Sequence, residues 1–114
     1  MQSTQHTRPA AVAGMFYPGS PAVLARDLRQ MLAAIAAPAA AGSRRVKAII
    51  APHAGYVYSG PIAASVYAPL AELGAGIRRV VLLGPTHRVA VNGLALPAAS
   101  AFATPLGVVP VDQQ

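Results

Sequence analysis

The chain has 114 residues, 54% of them hydrophobic and only 11% charged, which suits one core-forming domain or part of one and argues against disorder. Nine basic residues against three acidic give a net charge of +6, but the charges are scattered or in short pairs with no aromatic residues between them, so a nucleic-acid surface is not expected. There is no cysteine, which excludes disulfides and any thiolate metal site made by this chain alone.

Residues 1–8 are polar and read as a flexible tail, with His6 solvated, and they lack the apolar core of a signal peptide. The next segment carries Met15, Phe16 and Tyr17, bulk for a core or a pocket wall. Ser20 before Pro21 suits a helix N-cap followed by proline at the first helical position. Leu24, Leu28, Met31, Leu32 and Ile35 recur at helical spacing and end before Pro38, which predicts a helix that covers a sheet. The alanine-rich stretch 22–41 is broken by Arg26, Asp27, Arg29 and Gln30 and cannot span a membrane. A cytoplasmic protein without membrane contact is expected. Residues 36–43 read as a linker.

Residues 44–53 and 78–87 then repeat one pattern: an arginine pair, an apolar run, a proline, and a histidine nine residues after the first arginine. The runs do not alternate polar with apolar positions, as expected of strands buried on both faces of a parallel sheet, with Ile49 and Leu82 in the core. Residues 61–73 between them can form a helix that kinks or ends near Pro69. The expected fold class is therefore α/β, with a partly parallel sheet and a βαβ crossover.

Ligands of open parallel sheets bind beyond the carboxyl ends of the strands, where both histidines fall. On adjacent strands about 4.8 Å apart, two exit-loop imidazoles can converge on one ion. His53 and His87 are thus a candidate metal-ligand pair, against the simpler reading that each hydrogen-bonds within its own turn. Around them lie Tyr56, Tyr58, Ser59, Thr86 and Arg88, candidate contacts to a substrate or ligand. Gly55 and Gly60 are expected to permit positive φ and close backbone approach. A helix starting near Pro61 would aim its positive end at the same crevice and favour an anion. Beyond His87 the sequence predicts a loop and a short strand, and then, from Phe102, a turn between extended segments.

The segments Ala13-Gly14-Met15-Phe16-Tyr17-Pro18, Pro52-His53-Ala54-Gly55-Tyr56-Val57-Tyr58-Ser59-Gly60, Gly84-Pro85-Thr86-His87 and Thr104-Pro105-Leu106-Gly107 resemble, in this order and spacing, the amino-terminal part of the Memo family. Bacterial and archaeal members of that family are labelled AmmeMemoRadiSam system protein B. The resemblance implies a fold shared with the class III extradiol dioxygenases and a metal held by His53 and His87. Iron or copper is the metal it implies, with a cysteine from the carboxyl-terminal half as third ligand. It also implies that residues 9–114 form a partial domain truncated at its carboxyl end, with an exposed sheet edge through which copies could associate. Three functions fit: a non-haem redox or dioxygenase-like protein, a non-enzymatic binder of a small anionic molecule or a peptide, and an inactive fragment.

Overall fold

The computed structural model describes residues 6–36, 46–71 and 73–113. Most of the expected linker, the first arginine pair and Glu72 lie outside the described residues.

Helix α1 spans Pro21–Ala33, with Ser20 at the N-cap position and Pro21 opening the first turn, as the sequence predicts. The Ser20 side chain makes no cap hydrogen bond; its carbonyl accepts the Leu24 amide at 2.9 Å. The apolar stripe faces helix α2, Tyr56–Tyr67, rather than a sheet. α2 begins five residues before the expected start, so Pro61 lies inside it. Proline there removes the bond to the Val57 carbonyl, and Val57 is 91% exposed, so water can take its place. Ala68–Leu70 tightens into a 3-10 turn, α3, the expected end of the helix near Pro69. A second short 3-10 turn, α4, spans Gly74–Gly76.

The sheet has three strands in the order β1 (Thr7–Arg8), β2 (Ala101–Thr104), β3 (Gly107–Pro110). β1 pairs parallel with β2, in register Thr7 to Ala101, and β2 pairs antiparallel with β3. The end of the expected tail is therefore a strand. It is fixed further where the Ser100 amide donates to the His6 carbonyl at 2.9 Å and where the Arg8 guanidinium lies 5.9 Å over the Phe102 ring. The turn expected after Phe102 is the β2–β3 hairpin. Thr104 Oγ1 donates to the Gly107 carbonyl at 2.9 Å and accepts the Leu106 amide at 3.1 Å, and Gly107, at φ +140°, takes a conformation that suits only glycine.

The main correction concerns the two apolar runs expected as parallel strands. Residues 46–51 and 80–84 form no strand, and the backbone of residues 46–53 and 78–99 makes no backbone hydrogen bond to any described residue. Without a ladder there is no strand, whatever the side-chain pattern. Leu82 is 84% exposed and Ile49 half-buried, so neither is the core residue expected, and the short strand expected after His87 is likewise absent. The partly parallel sheet is present, but it is built from β1 and β2, and the expected strand-helix-strand crossover is not formed.

Among the described residues only Leu24, Ala64 and Ala99 are buried apolar residues. The radius of gyration, 16.1 Å, exceeds the roughly 13 Å of a compact chain this long. No described helix is long and apolar enough to cross a membrane.

Candidate metal centre

The site is assembled around the amino end of α2. In the segment before α1, Gly14 takes φ +80° and its amide donates to the Tyr17 carbonyl at 2.8 Å, closing a tight turn. The neighbouring Phe16 carbonyl accepts the Tyr56 amide at 2.7 Å, so this turn provides a partner for an amide in the first turn of α2. A side chain at Gly55 would meet the Phe16 backbone at 3.4 Å. Gly60 sits in α2 against α1, where a Cβ would lie 2.6 Å from Met31 Sδ. The close approach expected of Gly55 and Gly60 is realised, but the positive φ is not: neither glycine takes it.

Ser59, 6% exposed, donates its hydroxyl to the Ala54 carbonyl at 2.7 Å. Its proton therefore holds the loop just after His53 onto α2. On that loop His53 meets His87, Nε2 to Nε2 at 3.1 Å, with ring centroids 5.3 Å apart and planes inclined by 34°. The separation suits a hydrogen bond in which one Nε2–H donates to the other ring, the tautomer deciding which. It also suits two lone pairs aimed at one ion. With metal–nitrogen bonds of about 2.1 Å, nitrogens 3.1 Å apart subtend about 95° at a shared ion, between octahedral and tetrahedral values. Both histidines are exposed, so an ion can reach them.

His53 also borders a cavity of about 470 Å³ between α1, α2 and the turn around Phe16, walled by Leu28, Met31, Tyr17 and Tyr56 among others. Its lining contains no arginine or lysine. The Tyr17 and Tyr56 rings lie 5.7 Å apart, and Tyr56 has its pKa raised above 10.0 by burial first and by the neighbouring Tyr17 and Tyr67 phenols second. Tyr56 is thus held as a neutral hydrogen-bond donor.

Of the seven site residues picked from the sequence, the structure brings His53 and His87 together and places Tyr56 and Ser59 on the cavity wall beside His53. Tyr58 is 85% exposed and outside the cavity lining, as are Thr86 and Arg88, exposed on either side of His87. Met31 and Tyr17 line the cavity outside that set, Tyr17 in the pocket-wall role that its bulk suggests. The Met31 position on the α1 stripe was legible; the partner of that stripe was not. Among the described residues no group of three His, Cys, Asp or Glu side chains comes together. Asp112 pairs with Arg79 at 2.9 Å, and Asp27 with Arg26 at 2.8 Å.

The family model described as Memo-like protein matches residues 8–114. A MEMO1 family protein of Methanothermobacter thermautotrophicus is 40% identical over 111 residues, covering 94% of this chain and 40% of its own length. The memo-1 homolog of Caenorhabditis elegans is 41% identical over 112 residues, with 96% of this chain and 30% of the relative covered. Protein MEMO1 of Xenopus laevis is 38% identical over 114 residues, with 100% and 36% covered. The chain thus spans 30% to 40% of the length of these relatives. The chain belongs to the Memo family.

Proposed function

We propose that this chain carries the two-histidine part of a non-haem metal site of the class III extradiol dioxygenase type, with iron or copper as the metal. The observation that carries this reading is the 3.1 Å approach of His53 Nε2 and His87 Nε2, from loops 34 residues apart in sequence. Neutral imidazole suits both metals, and two histidines leave positions for further ligands. The family pattern supplies a cysteine as third ligand, and this chain has none. A bound iron or copper ion would supply redox and Lewis-acid chemistry at open coordination positions.

The chain's own residues have three tasks in this reading. His53 and His87 hold the ion through Nε2. Ser59 fixes the loop that aims His53, through its bond to the Ala54 carbonyl. Tyr56, neutral and facing the cavity beside His53, donates a hydrogen bond to whatever occupies that space. A binding role without turnover is the second reading, favoured by the apolar lining of the 470 Å³ cavity; its ligand is a small molecule or an apolar side chain of a peptide.

Metal analysis by plasma mass spectrometry, on protein purified without chelator, tests the first reading. Iron or copper is expected in the parent chain and absent from His53→Ala and His87→Ala. Equal metal content in the parent and both variants overturns it.

A further inference from the structure

Tyr17 and Tyr56 form a pair to which the two-histidine reading gives no shared task. Their rings lie 5.7 Å apart and inclined by 42°, inside the range of roughly 4.5 to 7 Å of ordinary aromatic pairs. The backbones beneath them are tied together. The Tyr56 amide donates to the carbonyl of Phe16, the residue before Tyr17, at 2.7 Å. Tyr17 is itself held by the turn that its carbonyl closes with the Gly14 amide at 2.8 Å, and a Cβ at Gly55 would find the Phe16 backbone at 3.4 Å. All of these contacts lie within the chain, so the pair is a property of this chain alone.

Composition makes the pair a target for one-electron oxidation. The chain has no cysteine and no tryptophan, so the phenols of its four tyrosines are the side chains that most readily give up a single electron. Tyr58 is 85% exposed and outside the cavity. Tyr67 lines the cavity, but among the described residues the tyrosine rings in contact are those of Tyr17 and Tyr56. Two tyrosyl radicals held side by side couple through the ring carbons next to their oxygen-bearing carbons, and holding the partners together favours that reaction over encounters between chains.

We propose that Tyr17 and Tyr56 are an oxidative cross-linking site, at which a peroxide joins the two rings into dityrosine. Each phenol gives up one electron and its proton, one carbon–carbon bond forms between the rings, and the hydrogens on the joined carbons move to the oxygens and restore the phenols. The protein loses two hydrogen atoms in all, and the peroxide takes up two electrons as its oxygen–oxygen bond breaks, leaving as two waters in the case of hydrogen peroxide. The new bond closes a loop of about 40 residues that contains α1, and it staples the turn before α1 to the segment that carries His53. The coupling uses neither histidine, so the proposal stands apart from the metal reading.

The test illuminates the full chain with tris(bipyridyl)ruthenium(II) and persulfate, a peroxide that leaves as two sulfates, at a protein concentration too low for chains to couple with one another. The product is read by dityrosine fluorescence and by tandem mass spectrometry of a digest. Expected is a monomer lighter by two hydrogens with Tyr17 joined to Tyr56, formed at least about tenfold faster than any other tyrosine cross-link. Its unfolding equilibrium constant in urea should be at least about tenfold smaller than that of the parent. Tyr17→Phe and Tyr56→Phe should each abolish the product, and Tyr58→Phe should leave its yield unchanged. Cross-links through other tyrosines, cross-links only between chains, oxygen added to Met31 without loss of hydrogen, or a joined chain no more stable than the parent overturn the proposal.

Discussion

The contact between Gly60 and Met31 holds α1 against α2 and thereby shapes the cavity beside His53, and it can be tested by a double-mutant cycle. Gly60→Ala places a Cβ 2.6 Å from Met31 Sδ and 3.6 Å from its Cε, more than an ångström inside ordinary contact for the sulfur. Overpacking of this kind costs about 1 to 3 kcal/mol. Met31 is unbranched, and the 470 Å³ cavity gives it room to swing aside, so the lower half of that range applies. Against it stands the helix preference of alanine over glycine, about 1 kcal/mol at a mid-helix position. The single variant should therefore be neutral to about 1 kcal/mol less stable. In a Met31→Ala background both sulfur and methyl are gone, the Tyr56 Cβ at 3.5 Å is an ordinary contact, and the same change should stabilise by about 0.5 to 1 kcal/mol. Urea unfolding followed by far-UV circular dichroism, on the parent, both single variants and the double variant, measures the coupling. Additive effects would refute the Gly60–Met31 packing and with it this account of the cavity wall.

Removing the Ser59 hydroxyl with Ser59→Ala should cost about 1 kcal/mol in urea unfolding and also weaken metal uptake, because the loop after His53 loses its tie to α2. Tyr56 is neutral in the fold to higher pH than in the unfolded chain, so its contribution to stability should be constant below about pH 10 and fall as pH rises through that value into the raised folded pKa. Tyrosinate absorbance and unfolding curves on the parent and Tyr56→Phe should show that dependence weakened in the variant. Asp112→Asn breaks an ion pair whose side chains are 75% and 46% exposed, so it should change stability by less than about 1 kcal/mol and leave metal content unaltered. Leu82→Ala, at an 84% exposed position, should change the stability of the free chain by no more than about 0.5 kcal/mol, whereas a buried leucine would cost about 2 to 5.

The sequence was legible where local chemistry decides structure. Ser20-Pro21 and the stripe from Leu24 place α1, Pro69 ends α2, and Thr104-Pro105-Leu106-Gly107 forms the hairpin turn. It misled where structure depends on a distant partner. The runs before His53 and His87 have the composition of buried strands, but a ladder needs a neighbour, and none of the described residues provides one. The stripe on α1 revealed that a face is covered without revealing that α2 covers it. The parallel pairing of Thr7–Arg8 with β2 had no signal in so polar a stretch. For the site, the matched spacing of two histidines after two apolar runs was enough to bring out the pair that meets at 3.1 Å, although the strands on which that argument placed them are not formed.

The most direct test of the two-histidine site is an anaerobic titration with Fe(II) followed by nitrogen NMR of the imidazoles. The account predicts that the Nε2 signals of His53 and His87 respond together and saturate at one ion per chain, while His6 does not respond. Responses of His53 and His87 at different iron concentrations, or a response of His6 equal to theirs, would contradict it.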